Sequence, residues 1–150
     1  MKSLSILIPV FNEEESLLAL FSELKNHFKN NVAVEIIFIN DGSSDNSQIL
    51  IEKEISHHSS WKLINLYRNY GKSIALQSGI DISSGELIAT LDSDLQDDPK
   101  ELMNLVNKLN DADVIVGWKK NRLDPLEKRL ASKVFNLSLI HISEPTRHTR

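Results

Sequence analysis

The chain has 150 residues, 41% hydrophobic and 25% charged, with a formal net charge of -4 and no cysteine. That length makes one domain with a substantial core, and the acidic balance argues against broad nucleic-acid binding, which needs a basic face. The absence of cysteine excludes disulfides, thiolate metal ligands and a cysteine nucleophile.

Strand-like and helix-like segments alternate along the sequence. Leu4 to Val10 reads as a first strand, too short and too soon followed by Asn12-Glu13-Glu14-Glu15 to be a secretory signal. Ser16 to Phe28 carries Leu17, Leu18, Phe21, Leu24 and Phe28 at helical spacing. Val34 to Asn40 is a second strand rich in β-branched residues. Asp41-Gly42-Ser43-Ser44-Asp45 is a turn leading into a helix from Ser47 to Ile55. Trp61 to Asn65 is a third, short strand. Lys72 to Ile82 is a helix whose predicted apolar face is Ile74, Ala75, Ile80 and Ile82, with Gly79 a mild liability inside it. Glu86 to Leu91 is a fourth strand, predicted to be buried. Pro99 suits a first helical position, with Leu102, Val106 and Leu109 on the buried stripe. Asp113 to Trp118 is a fifth strand, and Pro125 to Leu139 a last helix. No stretch has the apolar length needed to cross a bilayer.

Strands separated by helices imply crossovers, hence an α/β fold with a mainly parallel sheet and helices on both faces. The carboxyl ends of all the strands then share one edge. Four loops meet there: Pro9 to Glu13, Asp41 to Asp45, Leu66 to Lys72 and Asp92 to Asp97. Open α/β sheets bind ligands outside that edge. The residues from 141 to 150 are polar and basic, and Pro145 breaks the helical pattern. They read as a tail of non-native character after an incomplete domain of residues 1–140.

The most telling motif is Leu87-Ile88-Ala89-Thr90-Leu91-Asp92-Ser93-Asp94, an apolar strand ending in two acids one residue apart. Carboxylates at such a strand end can hold a hard divalent cation, and the cation can neutralise a diphosphate. An acidic turn after a strand is the plainer alternative. Pro9, Phe11 and Glu13 stand where a loop could meet a base or ribose; equally, Pro9 ends a strand, Phe11 packs in the core and Glu13 favours a helix start. Asp41 can accept hydrogen bonds from a base edge or make an Asx turn over Gly42 and Ser43. As a base reader on a loop, it is expected to contribute little to the fold. Lys72 sits at a helix start on the ligand edge, suited to an anion, but Tyr70-Gly71-Lys72-Ser73 lacks the upstream glycine of a phosphate-binding loop. Asp98 is placed to cap the Pro99 helix, with Gln96 and Asp97 shaping the loop before it. His57, His58, His141 and His148 form no convincing metal set. Lys119, Lys120 and Arg122, with Lys128 and Arg129, make either a solvated basic loop or a patch for an acceptor phosphate at a membrane surface.

Taken in order, Ser5 to Glu14, Ile39 to Asp45, Arg68 to Ser73 with Ala75, Gly79-Ile80 and Gly85, and above all Leu91 to Pro99 resemble family 2 glycosyltransferases. The resemblance is to the branch that contains dolichyl-phosphate mannose synthase and bacterial polyprenyl-phosphate sugar transferases. It covers about Leu4 to Ile140 and implies a GT-A fold, an inverting mechanism and a nucleotide-sugar donor. By match, Pro9, Phe11 and Glu13 line the nucleotide site and Asp41 reads the base. Asp92 lies near the ribose and donor, Asp94 takes Mg²⁺ or Mn²⁺ with Asp92 beside it, and Gln96 lies beside the sugar. Lys119, Arg122 and Arg129 meet a polyprenyl-phosphate acceptor, undecaprenyl or dolichyl; Lys72, read from its place on the edge rather than by match, is expected to meet the donor's anion. The resemblance further implies membrane association through a C-terminal part not contained in these residues. The expected location is the cytoplasm, or the cytoplasmic face of a membrane. Two alternatives stay open: a nucleotide-sugar-binding fragment without catalysis, and a family 2 transferase acting on a saccharide.

Overall fold

The computed structural model describes residues 3–28 and 33–107, which all belong to one compact unit. Four parallel strands lie in the order β3-β2-β1-β4. They are β1 (Leu4–Val10), β2 (Val34–Asn40), β3 (Trp61–Asn65) and β4 (Leu87–Thr90). Leu4 pairs with Val34 on one side and with Leu87 on the other, and Ile36 pairs with Trp61. The helices are α1 (Glu14–Phe28), α2 (Ser47–Ile55), α3 (Lys72–Ile82) and α4 (Pro99–Asn107). The α/β expectation therefore holds, and β1, β2, α2, β3 and α3 keep their predicted bounds. The fifth strand, the last helix, Leu109 and the 141–150 tail lie outside the described residues.

Side chains of a strand alternate between faces, and here each face has its own cover. Leu4, Ile6, Ile8 and Val10 of β1 and Val34, Ile36 and Phe38 of β2 pack with α1, Ile51 of α2 and, at its margin, Leu102, Met103 and Val106 of α4. Leu7, Ile37 and Ile39 point the other way, onto Ala75 of α3. With both faces covered, the central strands bury nearly every residue, which is why they read as unbroken apolar runs. On the first face Phe21, Phe38 and Trp61 form an aromatic cluster, with the Phe21 and Phe38 rings edge to face at 5.6 Å.

Three expectations need correction. α3 does not bury Ile74, Ile80 or Ile82, which are all exposed; its buried positions are Ala75 and Gly79. A Cβ on Gly79 would stand 3.0 Å from Ile39 Cδ1 and 3.1 Å from Leu7 Cδ2. The glycine is thus the point of closest approach of helix to sheet, and small residues rather than large ones set the packed face. The fourth strand is shorter than predicted and only half-buried, with Ile88 and Thr90 exposed, because among the described residues β4 pairs with β1 alone. Finally, α1 begins two residues early, at Glu14. The Asp45 carboxylate accepts the Glu14 N–H, and the Glu14 carboxylate accepts the N–H and side-chain amide of Asn46. Reciprocal caps between the starts of α1 and α2 satisfy amides that a helix end leaves unpaired.

At the amino ends of the strands a second fastening closes the opposite edge. Glu35 accepts the Ser5 hydroxyl and the Ser84 N–H on one oxygen and Lys62 Nζ, at 2.7 Å, on the other. Burial pushes the Glu35 carboxyl up, but the Lys62, Ser5 and Ser84 contacts outweigh it and bring its pKa down to about 2 from 4.5. A carboxyl lowered on folding stabilises the fold above its unfolded value and loses that contribution as pH falls toward its folded value. Glu35→Gln should therefore cost on the order of 2 kcal/mol at pH 7, read by urea unfolding. The gap to wild type should close between about pH 4.5 and pH 2; a gap that does not depend on pH would assign the loss to packing.

Candidate functional site

The carboxyl ends of β1, β2, β3 and β4 bring the four expected loops together. The first two are laced by Asn12, which adopts a left-handed φ of 55°. Its side-chain oxygen accepts the Ser44 N–H at 2.8 Å, and its own N–H donates to Ser43 Oγ at 3.0 Å. Glu13 donates its N–H to Ser47 Oγ, while its carboxylate accepts the Ser16 hydroxyl at 2.8 Å. Phe11 is half-exposed at the mouth of this loop rather than packed in the core. The Asp45 carboxyl, pushed up by burial but held by the Ser47 and Glu14 hydrogen bonds, ends below the usual range.

Asp41 ties the second loop to the third. It is 4% exposed. One carboxylate oxygen accepts the Tyr70 N–H at 2.8 Å and the other the Gly71 N–H at 2.9 Å. No Asx turn over Gly42 and Ser43 forms; the Ser43 N–H goes to Asn40 Oδ1 instead. The third loop crosses directly over Gly42, where a Cβ would fall 2.4 Å from the Arg68 carbonyl carbon. Glycine is required there twice over, by that contact and by a φ of 68°. Asp41 is therefore a structural fastener as well as an edge carboxylate, contrary to the expectation that it contributes little to the fold. Two of its roughly four lone-pair sites remain for a ligand.

The fourth loop carries the acid pair. Its backbone is pinned by the Leu91 N–H to Leu7 O at 3.0 Å, the Ser93 hydroxyl to Pro9 O at 3.2 Å, and the Asp92 N–H to Asp97 Oδ2 at 3.1 Å. Asp92 is ion-paired with Lys72 Nζ at 2.5 Å. Asp94 is exposed, and its Oδ1 accepts the Gln96 N–H at 3.0 Å in a turn that puts Leu95 at a φ of 61°. Asp98 caps α4 as expected, accepting the Lys100 N–H. Pro9, Asp41, Lys72, Asp92, Asp94 and Gln96 thus share one edge. Lys119, Arg122 and Arg129 lie outside the described residues.

Several contributors were not singled out in the sequence. Asn40 and Asn65, paired in register at the ends of β2 and β3, bond through their side chains at 3.0 Å. The Arg68 guanidinium lies over the Tyr70 ring, 5.0 Å from its centre. An asparagine ending each of two strands was the available signal for the first; nothing in the local sequence marked the second. Among the described residues no three His, Cys, Asp or Glu side chains gather to hold a metal. The donor set still suits Mg²⁺ or Mn²⁺ bound together with a substrate, since Mg²⁺ takes one or two carboxylates plus phosphate oxygens and water. Asp94 offers the accessible carboxylate for it.

Removing the Asp41 carboxylate would leave the Tyr70 amide without its acceptor and the Gly71 amide with the Asn69 side-chain oxygen alone. Asp41→Ala should lower unfolding free energy by about 2 kcal/mol and speed hydrogen exchange at the Tyr70 and Gly71 amides. An unchanged midpoint with unchanged exchange would show that the loop is held by other contacts.

The sequence model of glycosyl transferase family 2 matches residues 5–149. Dodecaprenyl-phosphate galacturonate synthase of Rhizobium johnstonii is 38% identical over 127 residues, covering 82% of this chain and 38% of that protein. Undecaprenyl-phosphate 4-deoxy-4-formamido-L-arabinose transferase of Salmonella typhimurium is 42% identical over 139 residues, covering 91% and 42% respectively. The chain thus spans about two fifths of the length of these curated relatives. Among solved structures, the mannosyltransferase PcManGT of Pyrobaculum calidifontis, in complex with GDP-Man and Mn²⁺, has a TM-score of 0.67 at 19% identity, over 73% of this chain and 33% of that one. TarS of S. aureus with UDP-GlcNAc has a TM-score of 0.64 at 18% identity, over 82% and 37%. At such identities the likeness is one of fold, and the fold is GT-A.

Proposed function

Because the chain belongs to glycosyl transferase family 2, we propose that the protein moves a sugar from a nucleoside-diphosphate donor, UDP- or GDP-linked, to a polyprenyl phosphate. The observation that carries this reading is the carboxyl edge of the sheet in a GT-A fold, where Asp41, Lys72, Asp92 and Asp94 lie on adjoining loops and Lys72 pairs with Asp92. The acceptor class rests on the two relatives named for polyprenyl-phosphate sugars and on the basic run from Lys119 to Arg122.

In this reading Pro9, Phe11 and Glu13 border the nucleotide. Asp41 reads the base with the lone pairs left over from Tyr70 and Gly71. Lys72, at the amino end of α3, faces the diphosphate, where positive charge and free helix amides favour an anion. Asp94, with Asp92 beside it, would hold Mg²⁺ or Mn²⁺, and a divalent ion there would offset the charge that develops on the departing diphosphate. Gln96 borders the sugar. A phosphate acceptor is already anionic, so its oxygen can attack the anomeric carbon without a protein base. The bond from that carbon to the donor's diphosphate breaks on the opposite side, and the configuration inverts. Lys119, Arg122 and Arg129 would meet the acceptor phosphate. A lipid acceptor places the reaction at a membrane, and we assign it to the cytoplasmic face. Among the described residues no helix is long and apolar enough to cross a membrane.

The test is product formation from labelled UDP- and GDP-sugars with undecaprenyl or dolichyl phosphate in detergent. Label is expected on the lipid, and transfer to a free saccharide alone would overturn the acceptor. In parallel, Asp94→Asn should weaken Mn²⁺-dependent donor binding by about tenfold or more. Donor affinity indifferent to both Mn²⁺ and Asp94→Asn would remove the metal from the reading.

A further inference from the structure

The two acids of the fourth loop differ in one respect that their spacing does not predict. Asp92 already has a cation, and Asp94 has none among the described residues: the Lys72 ammonium sits on Asp92, whereas the Asp94 contact is a backbone N–H. The pair is partly exposed, with Lys72 at 57% and Asp92 at 35%. Most such pairs are loose meetings of mobile chains, but here both backbones are fixed from elsewhere. Gly71, with a φ of 90°, gives its N–H to the Asp41 carboxylate. Its carbonyl accepts the Ile74 and Ala75 N–H groups that open α3, which fixes Lys72 as the first residue of that helix. On the other side the Asp92 N–H is held by Asp97, and its neighbours Leu91 and Ser93 are held by β1. Asp41 thus acts on Lys72 through Gly71, and the fold itself sets the ammonium against the carboxylate.

We propose that Lys72 is a resident cation of this site, which occupies Asp92 until a donor arrives and so divides the acid pair. In the free protein Asp94 alone is open to a divalent ion. When a diphosphate enters, the ammonium is shared between Asp92 and the anion, and Asp92 is released toward the metal. Metal and donor then bind cooperatively, because each relieves what holds the other off. The inference rests on the proposed donor site, but its central claim concerns the metal in the absence of donor and is tested without one.

The measurement is Mn²⁺ affinity of the intact protein with no nucleotide present, by calorimetry or by electron paramagnetic resonance of the free ion, with the thermal midpoint recorded for each variant. Lys72→Met uncovers Asp92 and removes a positive charge, so Mn²⁺ should bind roughly 5-fold tighter or more, with the gain shrinking at high salt. Lys72→Arg keeps the charge and should stay within about twofold of wild type. Asp92→Asn in the wild-type background removes a carboxylate that the ammonium already neutralises but leaves that ammonium unpaired, so it should weaken resting Mn²⁺ binding, and by less than Asp94→Asn, which removes the open ligand itself; this arm also decides the matter if Lys72→Met does not fold. Adding UDP or GDP should tighten Mn²⁺ binding in wild type and do so less in Lys72→Met. A folded Lys72→Met with unchanged or weaker Mn²⁺ binding overturns the proposal, as does an Asp92→Asn loss equal to that of Asp94→Asn. Failure of sugar transfer with these Mn²⁺ results intact would instead count against the acceptor and donor assignments.

Discussion

Two backbone amides, those of Tyr70 and Gly71, end on the buried carboxylate of Asp41, and much of the ligand edge follows from that contact. A buried charge must be satisfied or it destabilises the fold. Asp41 is satisfied by drawing the third loop across the end of β2. Drawing it there brings the Arg68 backbone onto position 42, which only a glycine tolerates. It also holds Gly71 in a conformation that starts α3 at once, so that Lys72 stands opposite the end of β4. Site and fold are therefore not separable at this edge. The residue proposed to read the base is the one that holds the loop.

The sheet supplies the rigid part of this arrangement. Its central strands are buried on both faces, by α1, α2 and α4 on one side and α3 on the other. Because the strands are parallel, every crossing helix carries the chain back to the amino edge, so every strand ends at the carboxyl edge and four loops with polar sequences collect there. Those loops satisfy one another rather than the core. Asn12 serves the second loop, Asp45 serves the start of α1, Asp97 serves Asp92, and Ser93 serves Pro9. The Glu35 network closes the opposite edge with the same economy, one carboxylate fastening β1, β3 and the turn before β4. Charge thus closes both edges of the sheet where apolar packing ends.

The acid pair shows how position separates two residues that look alike. Asp92 lies where the strand's direction is still imposed by β1, within reach of α3. Asp94 lies two residues further, in a tight bend where it accepts the Gln96 N–H itself. The proposed reaction calls for negative charge for a metal and positive charge for a diphosphate within one small space. Uncompensated, such groups would repel or collapse in the wrong combination. The Lys72–Asp92 pair keeps opposite charges together in the free protein and leaves one carboxylate facing outward.

The sequence by itself determined the alternation of elements, the parallel sheet covered on both faces, and the four loops that form the ligand edge. It did so because strand and helix periods and cap residues are local signals, carried by neighbours a few positions apart. The bounds of β1, β2, α2, β3 and α3 were legible for that reason, and so were the acid pair and the family resemblance. Tertiary structure alone decided which side of α3 is buried, since large isoleucines favoured one face and the close approach at Gly79 selected another. It alone placed the Asp41 carboxylate on amides 29 and 30 residues away, the Glu14 amide on Asp45 across 31 residues, and Lys72 on Asp92 across 20. No local pattern encodes such partners: a carboxylate in a loop accepts any donor the fold brings to it, and which donor arrives is settled only when the strands are side by side.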